Sequence, residues 1–196
     1  QTCLGQEGKG WFDHSLPTAD ELKESIFQAH ERADSIGVLS TIIENHDEPR
    51  GVSHYIAEGP VNDTSKKALG TIQVLRKGIP FIYQGQEIGM ENQVFESVED
   101  FDDIATINGY HVAKEAGLSE EEALAAIAKY SRDNARTPMQ WSAEAGLGFS
   151  DGSAWLISPK PNVAINVEDQ EKDPNSILNY YRQLTALYRH PLYGNT

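Results

Sequence analysis

Two short runs of apolar, largely β-branched residues alternate with helical patterns along this chain of 196 residues. The first run lies at 36–43 and the second at 79–83. Each fits a buried strand of a parallel sheet, because such strands are apolar on both faces. Between them, the spacing of apolar residues predicts a helix over about 64–77. The order strand, helix, strand predicts an α/β fold.

Further helices are predicted at both ends of the chain. Thr18 stands three residues before Glu21, the spacing of a capping box, and predicts a helix that ends near residue 34. Near the other end, Asp173 is a good N-cap and is followed by Pro, which is favoured at the first helical position. This pattern predicts a last helix over 173–190.

The middle of the chain holds a long excursion between predicted elements. Two helical patterns, near 97–116 and 119–130, lie inside the segment 86–134, which follows the second predicted strand. We interpret 86–134 as a helical loop excursion above the C-terminal end of that strand, where loops commonly carry function. Residues 142–172 are interrupted by Gly, Ser and Pro and are expected to be irregular.

Composition and charge narrow the class of protein. The formal charge is −14, from 16 basic and 30 acidic residues, which argues against nucleic acid or anionic membranes as partners. No apolar run approaches the roughly 20 residues that a membrane span needs. We expect a soluble, cytoplasmic protein. Cys3 is the only cysteine, so neither an internal disulfide nor a cysteine-based metal site is possible.

A polar triplet, Asn45, His46 and Asp47, directly follows the first predicted strand. Parallel barrels present their catalytic groups at the C-terminal ends of strands, so this position favours a functional site. Taken alone, the triplet also fits a solvated turn. A Rossmann-like sheet is the competing architecture, but no Gly-rich phosphate loop follows either predicted strand.

Three stretches in this order, 45–50, 78–90 and 131–141, resemble the C-terminal part of the catalytic domain of oligo-1,6-glucosidase-type α-glucosidases. Those enzymes belong to the α-amylase superfamily, glycoside hydrolase family 13. The resemblance covers nearly all of 1–196 and implies the C-terminal portion of a (β/α)8 TIM barrel. It implies the last two strands with their helices, with 86–134 as the excursion and the helix at 173–190 as the last barrel helix.

The resemblance also assigns roles to individual residues. Asp47 matches a catalytic carboxylate that stabilises the transition state, and His46 matches a neighbouring histidine that binds ring hydroxyls. Arg136 is placed near the substrate, and Arg50 fits the Asn-His-Asp-x-Pro-Arg form of the subgroup as a further substrate-binding residue. The alternatives are that Arg50 caps a surface turn and that the polar stretch 132–136 is an internal ion-pair cluster.

Retaining glycosidases need a nucleophile and an acid/base about 5–5.5 Å apart. No stretch of this chain resembles the motif of the nucleophile, and the acid/base of such enzymes follows an earlier strand. Two strands also cannot close a barrel. We therefore interpret the chain as a fragment with an incomplete barrel, expect the remainder upstream, and expect the fragment itself to be inactive.

The expected function is retaining hydrolysis of short α-glucosides, which are isomaltose-like or maltose-like oligosaccharides or sucrose. Such hydrolysis needs no redox cofactor, and the chain contains no Asp-rich calcium loop, so we expect neither a cofactor nor a metal. Two alternatives stay open: a non-catalytic glucosidase-like scaffold, and a relative of sucrose isomerase or trehalose-6-phosphate hydrolase. The intact triplet with His46 and Asp47 favours an enzyme over a scaffold.

Overall fold

The computed structural model describes residues 18–56, 59, 61–156 and 160–192; Cys3 lies outside the described residues. Strands β1 (Ser40–Ile42) and β2 (Ile79–Phe81) pair in parallel, with Ser40 opposite Ile79 and Ile42 opposite Phe81. Parallel neighbours need a crossover connection, and helices supply it here. This arrangement confirms the predicted α/β class and is consistent with part of a barrel.

Eight α-helices lie within the described part of the chain. They are α1 (Ala19–Ala33), α2 (Gly51–Tyr55), α3 (Asp63–Leu75), α4 (Ile104–Glu115), α5 (Glu120–Tyr130), α6 (Asp133–Arg136), α7 (Val167–Lys172) and α8 (Ile177–Tyr188). The capping box predicted for α1 is present, with Thr18 accepting from the Glu21 N–H. The predicted helices at 64–77 and 119–130 correspond to α3 and α5.

Three predictions of secondary structure need correction: two helices begin at a different cap, and one segment expected to be irregular contains a helix. Helix α4 begins only after Asp103, whose side chain accepts from the Thr106 N–H, rather than near residue 97. Helix α7 lies inside 142–172, which was expected to be irregular. Helix α8 begins after Ser176, whose hydroxyl accepts from the Asn179 N–H, rather than after Asp173.

Helix α3 is tied to both strands by one buried side chain, which fixes where the strands end. The amide of Gln73 donates to the carbonyl oxygens of Thr41 and Phe81, at 3.0 and 2.8 Å. Val74 of the same helix packs with Tyr181 and Leu184 of α8. This layer of helices supports the sheet from one side and holds the C-terminal ends of β1 and β2 next to each other.

The other side of the sheet carries apolar side chains that the described residues leave uncovered. Ile42, Ile79 and Phe81 are 45%, 51% and 53% exposed. A native sheet normally buries such a face, because each buried aliphatic or aromatic side chain contributes about 1.5–3 kcal/mol. Among the described residues, the two-stranded sheet is therefore covered by helices on one side and exposed on the other.

We expect Gly85→Ala to destabilise the full-length protein by about 2–4 kcal/mol, because two costs add. Gly85 has φ +89°, which strains any residue with a side chain, and an added Cβ would lie 2.5 Å from the Met90 sulfur and 2.9 Å from Arg50 Nη1. Gly117→Ala is the matched control, with φ +93° and open space around the added Cβ. Chemical denaturation should show a loss of only about 1 kcal/mol for the control. Equal losses of stability in the two variants would show that the close contacts of the added Cβ with Met90 and Arg50 cost nothing.

Candidate active site at the end of strand β1

The loop after β1 holds the polar triplet in an exposed position. The Asn45 side chain accepts a hydrogen bond from the Asp47 N–H at 2.7 Å, which forms a local turn typical of asparagine. The side chains of His46 and Asp47 are 70% and 53% exposed. Both groups therefore stand at the C-terminal end of a parallel strand with their polar atoms open to a ligand.

Two arginines from a distant part of the chain meet the Asp47 carboxylate. Arg132 Nη1 and Arg136 Nη2 lie 3.2 and 3.1 Å from the same oxygen, Oδ1. His46 Nε2 lies 3.3 Å from the other oxygen, Oδ2. Arg136 also donates through Nε to the His46 carbonyl oxygen at 2.9 Å, so its guanidinium holds both residues of the pair at once.

These contacts keep Asp47 in its anionic form. The hydrogen bond from Arg132 holds the pKa of the Asp47 carboxyl below its usual value, and the charges of His46, Arg132 and Arg136 act in the same direction. A carboxyl with a lowered pKa is ionised at neutral pH and is a poor proton donor. Asp47 is therefore suited to electrostatic stabilisation of a positive charge and unsuited to general acid catalysis.

Arg132 is fixed by a second carboxylate, which belongs to Asp103. Asp103 Oδ1 accepts from Arg132 Nε at 2.8 Å, and Oδ2 accepts from both the N–H and the hydroxyl of Thr106. Burial by itself would raise the pKa of Asp103, but the hydrogen bonds from Thr106 and Arg132 outweigh it and the pKa is lowered. Asp103 is therefore a structural anion that orients Arg132.

A third carboxylate holds the backbone of this region. Asp133 is fully buried, and its Oδ2 accepts from the N–H groups of Asp102 and Asp103 at 2.9 and 2.8 Å. The short helix α6 begins at Asp133 and separates the two arginines by about one helical turn. The stretch 132–136 therefore forms an internal ion-pair cluster that also reaches Asp47, and the place of Arg136 near a substrate stays a prediction.

The four predicted site residues are not all brought together. His46, Asp47 and Arg136 form one contacting group. Arg50 lies elsewhere: its side chain has no exposed surface and contacts Glu44. A direct contact between Arg50 and a ligand would need the loop after β1 to open. The role of Arg50 in substrate binding therefore stays a prediction.

Three members of the cluster, Arg132, Asp133 and Asp103, were not predicted as site residues. The first two were part of a polar stretch, and Asp103 was not singled out. Arg132 contacts Asp47 across 85 positions of the chain, so no local pattern could reveal the pair. The one available signal for Arg132 was its place in a stretch with Arg136, which the resemblance had already put near the substrate.

Among the described residues, no group of three or more His, Cys, Asp or Glu side chains could hold a metal ion. No described helix combines the length and the apolar character that a bilayer crossing requires. The carboxylates near Asp47 are instead bridged by guanidinium groups.

Comparison with known proteins identifies the family of this chain. A family model described as "Alpha amylase, catalytic domain" matches residues 5–192, and the chain therefore belongs to the alpha-amylase family. The chain is 41% identical over 183 residues to probable oligo-1,6-glucosidase 2 of Bacillus subtilis strain 168, which covers 93% of this chain and 33% of that protein. The resemblance predicted from the three sequence stretches is confirmed.

Two further relatives widen the range of chemistry in this family. Trehalose-6-phosphate hydrolase of Bacillus subtilis strain 168 is 39% identical over 143 residues, which are 73% of this chain and 26% of that protein. The solved structure of trehalulose synthase from Pseudomonas mesoacidophila MX-45 superposes with a TM-score of 0.82 at 37% identity, over 91% of this chain and 33% of that one. The chain spans about a third of the length of the relatives it matches.

Proposed function

We propose that the protein containing this chain is a retaining glycoside hydrolase that acts on short α-glucosides. The observation that carries the proposal is the ionised, half-exposed Asp47 at the end of β1, held next to His46 by Arg136. Membership of the alpha-amylase family and the 41% identity to a probable oligo-1,6-glucosidase support a glucoside as the substrate.

In this proposal, Asp47 stabilises the transition state. Glycosidic bond cleavage develops positive charge on the sugar ring, and a fixed anion close to the ring lowers the energy of that state. Two guanidinium groups, of Arg132 and Arg136, meet three carboxylates, of Asp47, Asp103 and Asp133. The cluster therefore keeps net negative character next to the ring, while the arginines hold Asp47 in place before the reaction begins.

His46 and Oδ2 of Asp47 supply the contacts to sugar hydroxyls. Asp47 Oδ1 already accepts from both arginines, whereas among the described residues Oδ2 contacts only His46 Nε2, at 3.3 Å. A hydroxyl of a bound glucose can donate to Oδ2 and accept from the imidazole. The ring would then replace a weak contact within the pair with two hydrogen bonds.

The proposed architecture is the C-terminal portion of a (β/α)8 barrel, with β1 and β2 as its last two strands. Two observations support it: the strands are parallel, and the apolar residues Ile42, Ile79 and Phe81 lie on a face without cover among the described residues. Further strands would bury that face. The segment 86–134 is then the excursion that returns over the strand ends, and α8 is the last barrel helix.

We place the nucleophile and the acid/base in the remainder of this barrel. Asp103 is the carboxylate that shares Arg132 with Asp47, but its hydrogen bonds with Thr106 and Arg132 and its lowered pKa make it unsuitable as a proton donor. The site proposed here therefore supplies one of three carboxylates that the reaction needs.

If the nucleophile and the acid/base lie outside this chain, the purified 196-residue chain should release no p-nitrophenol from p-nitrophenyl α-glucoside. Hydrolysis with retention needs both carboxyls of that pair. The longer protein that contains the chain should hydrolyse the same substrate. An Asp47→Asn preparation made in parallel corrects for enzymes of the expression host. Dose-dependent hydrolysis by the chain alone, absent from that preparation, would overturn the proposed location of the pair.

Sucrose isomerisation is the second candidate, and the structural likeness to trehalulose synthase favours it. Both reactions share a bound glucosyl group and differ in whether water or the released fructose accepts it. Incubation of the longer protein with sucrose separates them. Hydrolysis yields glucose and fructose in equal amounts, whereas isomerisation yields a new disaccharide and little free sugar.

Arg136→Lys should lower kcat/KM for α-glucosides by about tenfold to a hundredfold, because a lysine cannot hold the His46 carbonyl and the Asp47 carboxylate together. Steady-state kinetics of the longer protein would measure the effect. Arg182→Lys is the matched control, since Arg182 is an exposed arginine paired with Glu171 on the surface. Equal activities of the two variants would remove Arg136 from the site.

A further inference from the structure

A fully buried ion pair lies directly beneath the proposed site. Arg50 Nη1 is 3.2 Å from Glu44 Oε2, and neither side chain has exposed surface. Burial raises the pKa of the Glu44 carboxyl, while the guanidinium of Arg50 and the N–H of Gly51 act to lower it. The proposed reaction uses neither residue, so the pair needs its own explanation.

The pair closes the loop that presents the polar triplet. Glu44 stands immediately before Asn45, and Arg50 follows Asp47 by three positions. Glu44 Oε1 also accepts from the Gly51 N–H at 2.8 Å, so one carboxylate binds both the side chain and the backbone at the far end of the loop. Glu44 thereby holds the two ends of the loop 45–50 together.

Arg50 also ties the loop to other elements. Its Nη1 donates to the carbonyl oxygen of Gln84, just after β2, at 2.7 Å, and its N–H donates to the Asn92 side chain at 2.9 Å. Asn92 in turn donates to the carbonyl oxygen of Lys129 at the end of α5. These contacts fix the loop relative to the second strand and to the excursion from which Arg132 approaches.

The energetics of buried charges favour a positioning role over a simple stabilising one. Desolvation of two ions offsets most of their attraction, and an apolar replacement of a buried pair is often neutral or stabilising. The effect on rate can be much larger than the effect on stability, because a small misplacement of a catalytic group lowers the rate by a large factor. A pair that contributes little net stability can therefore still contribute much to turnover.

We propose that Glu44 and Arg50 are positioning residues: they hold the two ends of the loop 45–50 together and so set the placement of His46 and Asp47. The inference rests on the proposed function of Asp47. It assigns a role to Glu44 that neither the resemblance nor the comparisons supply, and it gives Arg50 an action through the loop in place of direct contact with substrate.

The double variant Glu44→Gln/Arg50→Met separates positioning from stabilisation in the full-length protein. Gln keeps an acceptor for the Gly51 N–H, and Met fills part of the volume of the arginine. Because both charges of the pair are removed together, the melting temperature should return to within about 3 °C of wild type, while each single variant should melt lower. We expect kcat to stay at least about tenfold low, with KM changed less.

The control is Lys66→Met, which removes another buried cation. Lys66 is 7% exposed and contacts Glu91 and the Gly89 carbonyl oxygen, not the loop 45–50. It should melt lower than wild type and keep wild-type kcat for the folded fraction. If the double variant recovers both stability and kcat, or if the control loses as much kcat, the positioning role is overturned.

Hydrogen exchange distinguishes failure of this inference from failure of the proposed function. In Arg50→Met and in the double variant, a peptide covering 45–50 should exchange faster, while peptides from α3 and α8 should match wild type. If the wild-type protein hydrolyses no α-glucoside, the proposed function fails and exchange at 45–50 alone decides whether the pair holds the loop. Unchanged exchange at 45–50 overturns the inference in either case.

Discussion

Asp47→Asn is expected to lower kcat/KM of the full-length protein for a short α-glucoside by about 10²- to 10⁴-fold. The neutral amide cannot supply the electrostatic stabilisation that the carboxylate gives to a positively charged transition state. The substitution preserves shape, and Asp47 is half exposed, so the fold should persist. Steady-state kinetics with circular dichroism as a check of folding would measure the effect.

The matched control for this variant is Asp34→Asn. Asp34 is also an exposed aspartate, its pKa is also lowered by a cation, and it pairs with Lys77 at 2.6 Å. Its removal should leave kcat/KM within about twofold of wild type, because exposed ion pairs contribute little. Near-wild-type turnover in Asp47→Asn would remove the central residue from the mechanism.

His46→Ala is expected to cost about 2–4 kcal/mol of transition-state binding, the scale of a strong hydrogen bond once substrate and the proposed remainder of the barrel exclude water from the site. The proposed contact tightens as the ring distorts, so kcat should fall together with kcat/KM. His111→Ala, at an exposed position on α4, is the control and should leave both parameters unchanged. If only KM rises, His46 binds the ground state and the transition state equally, and its assigned role is wrong.

Local signals in the sequence were sufficient for much of the fold. The capping box of Thr18 and the apolar runs around β1 and β2 depend on neighbours within a few residues, and these elements form where expected. The predicted start of α8 was wrong because Ser176, three residues after Asp173, is the N-cap. Ser176 is buried against the Gln170 carbonyl oxygen, a contact that the sequence does not reveal, and it caps the helix instead of Asp173.

The candidate site, like the fold, could be predicted from the sequence only in part. Asn45, His46 and Asp47 are adjacent in sequence, so their common placement after β1 could be predicted from the strand alone. The two arginines that contact Asp47 lie at the end of the excursion and just after it, and only the folded chain brings them to Asp47. The burial of Arg50 could not be predicted either. An arginine after a turn is usually exposed, and only the folded chain shows that Arg50 is enclosed and bonded to Glu44 and Gln84.

The central claim is that Asp47 and His46 contact the glucosyl ring whose bond is broken. A structure of the full-length protein with a cationic iminosugar analogue of glucose tests it most directly. We expect the ring at the end of β1, with Asp47 Oδ2 and His46 Nε2 each about 2.6–3.2 Å from a ring hydroxyl. A ring bound elsewhere, with Asp47 still engaged only by His46, Arg132 and Arg136, would contradict it.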